Sequence, residues 1–515
     1  MNSSIPSEVS DISRTLVKKG FSAYLVGGCV RDLVLNRQPK DWDIATNAKP
    51  EEIQRIFEDT VYENQFGTVL VKLGRPPINA DEKLIHADNE SVLISNNQRK
   101  SALNVVEVTT FRLEGKYTDK RHPDEIKFAK TIEEDLSRRD FTVNAMALEV
   151  SGIRYQVSGN NLIDPFSGQD DSAAKIIRTV GNPEERFTED ALRLMRAVRF
   201  AVELGFEIDS ETRQAIEKHA GLLEMIAKER IRDEFLKILM ADRAANGIIL
   251  LEELGLLRYV IPELREGIGV SQNKHHIYTV FEHNLKSFEY AAKKNYSLIV
   301  RLAALLHDLG KPRTKGGEGP DATFYNHEVV GSKMAAGALE RLRIPKGTIE
   351  KTIHLIRYHM FYYNVGEVSA AGVRRFLARV GPENIGDLIK VREADRIGSG
   401  VPKAVPYKLR HLLFMVEKVK HDPISPKMLE VNGSDVMEIL NIGPGPKVGQ
   451  ILAVLLEEVL DDPSKNSKEN LESKIRELSN STEKQLIELS QKAKEKKNEF
   501  ASGVEEEMKK KFYVQ

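Results

Sequence analysis

The 515-residue chain has a single cysteine, Cys29. One thiol forms no internal disulfide, which fits a reducing compartment such as the cytoplasm. No stretch reaches the roughly 18 consecutive apolar residues that a membrane-spanning helix needs, and residues 1–20 are polar with no apolar core. Neither membrane insertion nor export is expected. Nor does one sign of charge dominate, since 76 basic and 77 acidic residues leave a formal charge of −1. Any attraction for a nucleic acid must therefore come from local basic surface. The sequence shows no internal repeat. With 41% hydrophobic residues it can pack a core, and at about 150 residues per domain it divides into three or four domains.

What is present begins at residues 24–43. Tyr24–Val26 predicts a strand, Gly27-Gly28 a tight turn and Val30–Leu35 the start of a helix. Backbone amides then meet at a helix N-terminus, a geometry that attracts phosphate. Asp41-Trp42-Asp43 follows, and on an extended segment positions i and i+2 face the same way. Two carboxylates so placed would share divalent cations. A pair of Mg²⁺ ions about 4 Å apart is the usual device for in-line displacement at phosphorus, one activating the attacking oxygen and the other holding pyrophosphate. A Gly-Gly turn or an Asp-x-Asp alone is ordinary loop chemistry; their order and closeness point to nucleotidyl transfer.

Leu-Val-Gly-Gly-x-Val-Arg-Asp followed by Asp-x-Asp resembles the head of the polymerase β-like nucleotidyltransferases, in the class that holds bacterial CCA-adding enzymes and bacterial poly(A) polymerases. The resemblance places the catalytic, metal-binding carboxylates on Asp41 and Asp43 and the triphosphate-binding turn on Gly27, Gly28 and Arg31. Cys29, inside that turn, reads as a small packed residue.

Helices are expected at Asp11–Lys19 and from Pro50, with strands at Thr68–Leu73 and Val105–Phe111. Between the strands, residues 75–103 are polar and aperiodic and read as a surface insertion. Glu107, an acid in an apolar alternation, is either an edge-strand acid or a third metal-site carboxylate. The family's Glu-Val-Thr-Thr matches residues 107–110 and favours the latter. Residues 112–123 look mobile, and the resemblance implies a loop there that helps switch from C to A addition. In Ser137-Arg138-Arg139-Asp140-Phe141-Thr142-Val143-Asn144, the bases end a helix and Phe141 opens a strand. The match to the family's Arg-Arg-Asp-Phe-Thr-x-Asn-Ala implies ribose and phosphate binding by Arg139, Asp140 and Asn144. Asp164–Gly168 matches the family's hinge motif, although a plain turn explains it nearly as well.

From Ile176 the strands stop and helices take over. Residues 183–204 predict one long amphipathic helix, with Phe187, Leu192 or Met195, Val198 and Val202 facing a core. Asp190 and Arg193 then stand at i and i+3 on one face, where acid–base pairs usually serve as solvated helix support. Cytosine and adenine each present an amino donor beside a ring-nitrogen acceptor, whereas uracil and guanine present a carbonyl beside a ring N–H. A carboxylate with a guanidinium would take the first two and reject the others, each good contact being worth about 1–3 kcal/mol. The resemblance makes Glu-Asp-x-x-Arg the nucleotide-selecting motif, with Asp190 and Arg193 as the templating edge and Arg196 near the base or phosphates. Lys228–Phe235 resembles the neck's last motif, read as support for that helix.

Seven of the twelve histidines lie between His275 and His359. His283, the doublet His307-Asp308, His327, His359 and Asp395 together resemble the HD phosphohydrolase superfamily, and facing helices can build such a cage of imidazole and carboxylate. Any one of them alone would read as a packed structural histidine. The resemblance implies a divalent transition metal, room for a two-metal site, Lys311 as a phosphate contact, and either phosphatase or 2′,3′-cyclic phosphodiesterase chemistry or a metal held for stability alone. Bases at 374, 375, 379, 403, 408 and 410 are either solvated faces or the lining of an RNA groove. Beyond Asp461 thin apolar spacing (Leu471, Ile475, Leu478) predicts a marginal, frayed helix.

The expected fold class is α+β: a polymerase β-like nucleotidyltransferase head with a mixed sheet (1–150), then an all-α neck (151–265), HD domain (266–420) and C-terminal body and tail (421–515). The expected function is addition of CMP and AMP from CTP and ATP to the 3′ end of tRNA, with Mg²⁺ in the head. The rival readings are a bacterial poly(A) polymerase, and an HD phosphohydrolase or RNA-binding protein with an inactive head.

Overall fold

The computed structural model describes residues 5–64, 67–73, 105–114, 126–150, 161–273, 277–420, 429–482, 484–493, 510 and 512–514. The insertion read at 75–103, the centre of the 112–123 segment and much of the charged tail lie outside them. The chain forms two compact units, residues 1–359 with 387–402, and residues 360–386 with 403–515.

The first unit begins with a helix at Ser7–Lys18 and a sheet of seven strands. These are β1 (Ala23–Val26), β2 (Asp43–Thr46), β3 (Thr60–Asn64), β4 (Thr68–Lys72), β5 (Val105–Thr110), β8 (Ala147–Glu149) and β9 (Leu162–Ile163), in the order β3-β4-β5-β2-β1-β8-β9. Only β2 and β5 run parallel; every other pairing is antiparallel. Strand alternation gives the sheet two different faces. Leu25, Ile44, Val69, Val106, Val108 and Leu148 pack into one core with the helix Ser7–Lys18. Val26, Ala45 and Ala147 pack on the other side with Ile132 and Leu136 of the helix Ile132–Ser137. Asp43 and Glu107, opposite each other in the β2/β5 register, share this second face.

Several expectations change at this level. Residues 112–123 do not begin as irregular chain: Arg112–Glu114 (β6) pairs with Ile126–Phe128 (β7) in a small hairpin. Phe141 opens no strand. A short 3-10 turn covers Thr142–Asn144 instead, because Asp140 accepts the Phe141 N–H at 2.9 Å, the Thr142 hydroxyl donates to Asp171 at 2.7 Å, and Gly168 packs onto the Thr142 carbonyl. Strands also recur after Ile176, as Ile176–Ile177 (β10) pairs in parallel with Glu207–Ile208 (β11).

The predicted long helix is two helices, Pro183–Glu189 and Leu192–Leu204. Asp190 adopts an extended conformation between them (φ −131°, ψ 104°), and its carboxylate accepts the Leu192 N–H at 3.0 Å. Aspartate in a helix interior competes for backbone donors, and as a cap it satisfies one. The expected core residues Phe187, Leu192, Met195, Val198 and Val202 are all buried.

Five further helices, Val280–Lys293, Leu298–Leu306, His327–Arg341, Lys346–Tyr358 and Ile385–Gly398, build the helical module behind the neck. Arg301 is buried at the seam with the neck helix Lys228–Met240. It donates to the carbonyls of Leu239 (2.9 Å), Ala241 (3.3 Å), Ala292 (3.4 Å) and Tyr296 (3.0 Å) and to Asn295 Oδ1 (3.0 Å). Carbonyls at a helix C-terminus lack intrahelical donors, and one guanidinium serves both ends.

In the second unit the helices Gly433–Leu440, Pro446–Asp461 and Lys468–Ser479 share a core. Leu471, Ile475 and Leu478 are buried in it, so this helix is docked rather than frayed. Among the described residues no helix is long and apolar enough to cross a membrane.

Candidate active site and metal centre

The Gly-Gly turn forms as expected: Gly27 has φ 75° and precedes the helix Gly28–Val34. A Cβ on Gly27 would lie 3.0 Å from Arg139 Nη1 and 3.7 Å from Asp43 Oδ2, so the turn, the cation and the carboxylate meet where only glycine fits. Arg31 Nη1 donates to Asn144 Oδ1 at 2.8 Å, and Arg139 Nη1 donates to the Asn144 carbonyl at 3.3 Å. Residues from four separate stretches (27–31, 43, 107 and 139–144) thereby converge on one face of the sheet. Asp41 lies two residues before Asp43, on the chain entering β2. Cys29 is buried, and burial together with Asp43 pushes its thiol up to about 12, which makes it a packing group.

The residues expected to select the nucleotide are arranged differently from the expected helix face. Asp190 pairs with Arg230 at 2.9 Å, so Lys228–Phe235 does support this corner. Arg193 is buried, and its guanidinium reaches Glu189 Oε2 (2.6 Å) and the carbonyls of Arg186 (3.2 Å) and Arg138 (3.1 Å). Asp140 is buried and ion-paired to Arg196; burial would raise its carboxyl, but Arg196 and Arg193 hold it below the usual range. Arg31, Arg196 and Arg199 all lie against the Phe200 ring, at 5.7, 5.2 and 3.9 Å from its centroid.

Sequence reasoning missed Asp135. It is buried, and it pairs with Arg138 at 2.8 Å and Arg139 at 3.2 Å. The signal was available as an acid three and four residues before two arginines on a predicted helix.

All six residues of the second predicted metal site come together and are buried. His283 Nε2 lies 2.9 Å from His307 Nε2, 3.1 Å from Asp308 Oδ2 and 3.4 Å from Asp395 Oδ1. On the other carboxylate oxygen, Asp308 Oδ1 faces His327 Nε2 (3.3 Å) and His359 Nε2 (3.7 Å). The Nδ1 atoms of His307, His327 and His359 each meet the carbonyl three residues earlier, at 3.0, 2.7 and 2.7 Å. Those bonds aim the three Nε2 atoms inward, as metal-ligating histidines require. Burial opposes a charged His307, yet Asp308 and Asp395 push its imidazole up to about 10. Two buried carboxylates among four imidazoles are a donor set that suits a divalent cation, and the mixed nitrogen and oxygen donors fit a transition metal. Lys311 is buried too, with Nζ 2.6 Å from both Asp308 Oδ2 and Gln272 Oε1.

The comparisons with known proteins follow this division. Family models match as Poly A polymerase head domain (residues 23–178), Probable RNA and SrmB-binding site of polymerase A (205–268), HD domain (280–398) and tRNA nucleotidyltransferase domain 2, putative (408–475). A CCA-adding enzyme of Enterococcus faecalis is 32% identical over 473 residues, covering 90% of this chain and 94% of the relative. An A-adding tRNA nucleotidyltransferase of Deinococcus radiodurans is 35% identical over 348 residues, covering 65% of this chain and 76% of that protein. Among solved structures, the Bacillus stearothermophilus CCA-adding enzyme in complex with CTP aligns with TM-score 0.56 and 29% identity, over 92% of this chain and 96% of the other. Nucleotidyltransferases of this kind depend on a divalent metal, which the paired carboxylates of the head fit as hard oxygen donors. The chain belongs to the family of bacterial CCA-adding enzymes and carries their head together with an HD domain.

Proposed function

We propose that this protein adds CMP and AMP, taken from CTP and ATP, to the 3′ end of tRNA, and that Asp41, Asp43 and Glu107 hold Mg²⁺ for the transfer. The observation that supports this best is the meeting of Gly27, Arg31, Asp43, Glu107, Arg139 and Asn144 on one sheet face. The RNA 3′-oxygen bonds to the α-phosphorus, the bond to the bridging oxygen breaks, pyrophosphate leaves, and the hydroxyl proton passes to water. Bound Mg²⁺ supplies activation of that hydroxyl and neutralises the leaving group. The Gly27-Gly28 turn and Arg31 cradle the triphosphate, while Arg139, Asp140 and Asn144 orient phosphate and ribose. Asp190 and Arg193 read the base edge, with Arg196 beside them. In this reading the head runs past residue 150 to take in β9 (Leu162–Ile163), the last strand of its sheet, ahead of the neck and the HD module, and the protein works in the cytoplasm.

The HD module is a separate phosphohydrolase centre of the phosphatase or cyclic phosphodiesterase kind. His283, His307, Asp308 and Asp395 would hold one divalent transition metal, and His327 and His359 together with Asp308 would hold another, which would supply Lewis-acid activation of a phosphoryl group.

The deciding assay incubates the protein with tRNA lacking its CCA end, giving CTP and ATP separately and together. The expected result is CC from CTP alone and CCA from both. A long ATP-only tract would reject the reading in favour of poly(A) synthesis. The A-adding relative favours one narrower alternative, in which only a tRNA already ending in CC is extended, by a single AMP.

A further inference from the structure

Asp135 lies on the helix Ile132–Ser137, whose start is fixed by a capping box between Thr131 and Glu134. It is 1% exposed, and both carboxylate oxygens are used. Oδ1 accepts from Arg138 Nε (3.0 Å), Arg138 Nη2 (2.8 Å) and the backbone N–H of Arg112 (3.2 Å). Oδ2 accepts from Arg139 Nη2 (3.2 Å). The helix ends at Ser137, and both arginines turn back toward the acid one turn behind them.

Each partner leads to a different part of the nucleotide site. Arg139 goes on to the Asn144 carbonyl and stands over Gly27. The carbonyl of Arg138 accepts from Arg193 Nη2 at 3.1 Å. Arg112 opens β6, at the root of the segment that leaves the sheet after β5. A buried carboxylate is costly unless paired, and here guanidinium groups offset the burial and hold its carboxyl below the usual range.

We propose that Asp135 is a positioning residue for nucleotide binding, setting Arg139 directly and Arg193 through the Arg138 peptide. The proposal rests on the nucleotidyl-transfer reading above. Charge and position make opposite predictions for Asp135→Asn. The neutral side chain removes a negative charge beside cations that face a triphosphate, so electrostatics alone would tighten nucleotide binding. Loss of two ion pairs that aim those cations loosens it.

The test is equilibrium binding of CTP to the full-length protein, alongside steady-state CMP incorporation into tRNA. For Asp135→Asn the expected result is CTP binding weakened about tenfold or more, a matching rise in KM, kcat within threefold of the parent, and increased incorporation from UTP. CTP binding that is unchanged or tighter overturns the proposal. Should that variant fail to fold, Arg138→Gln, which removes only one of the two ion pairs, should weaken CTP binding severalfold, and unchanged binding there overturns it equally. A parent protein that neither binds nor incorporates CTP would instead overturn the nucleotidyl-transfer reading.

Discussion

Asp43 and Glu107 stand directly opposite each other on the parallel strands β2 and β5. Like charges so placed repel, and in the proposed reading a shared divalent cation would offset that repulsion. Replacing Glu107 with Gln should cut CMP incorporation at least about a hundredfold, as expected for a lost metal ligand, while leaving Tm unchanged or higher. Parallel Tm and activity measurements check this; a fall in both together would mark Glu107 as a structural acid.

Glu234 pairs with Arg199 at 2.5 Å and is buried, and although burial alone would raise its carboxyl, Arg199, Arg196 and Lys237 hold it at about 2. A carboxyl depressed in the folded state contributes stability that is complete above its unfolded value, near 4.5, and is lost as pH falls toward 2. Denaturant unfolding between pH 5 and pH 3 should therefore lose part of its pH dependence in Glu234→Gln. An identical slope for parent and variant would remove Glu234 from the acid transition.

The two oxygens of Asp308 face different histidine pairs, which makes the HD site separable by mutation. After loading with Mn²⁺ and desalting, the parent should retain two ions per chain. His327→Ala with His359→Ala should retain one, and His307→Ala should likewise retain one, that at the other position, with CMP incorporation unaffected in each. Elemental analysis reads the ratio; one ion in the parent would reject the second position.

Gly310 and Gly331 bring two backbones together beside this site. A Cβ on Gly310 would lie 2.2 Å from the His327 carbonyl and 2.5 Å from the Gly331 amide. Backbone cannot swing aside as a side-chain end can, so Gly310→Ala should displace His327 and lower stability by about 2 kcal/mol or more. Urea unfolding and Mn²⁺ retention should both register it, and a stable variant with full retention would mean that the helices slide apart freely.

Much of this was legible because chemistry and local structure agreed. The Gly27-Gly28 turn, Asp43 on β2, Glu107 on β5 and the six HD residues each have an ordinary structural reading alone, and their order and spacing together, with the family they resemble, are what made them legible. The failures lie where side chains compete with periodicity. Apolar spacing runs unbroken through 183–204, yet Asp190 turns extended and its carboxylate accepts the Leu192 N–H, which opens a corner within it. Phe141 read as a strand start by its aromatic character, but Asp140, Asp171 and the close approach of Gly168 bend the backbone there. Asp135 went unread because, in sequence, an acid near two arginines looks like any solvated helix face.

Arg301 ties the last turn of a neck helix to the far end of the first HD helix through five acceptors in a dry seam. Neck and HD module are riveted there, not strung together by a linker. A protease should accordingly release them as one fragment, and Arg301→Met, which takes this shared donor away from both helix ends, should be what lets them part.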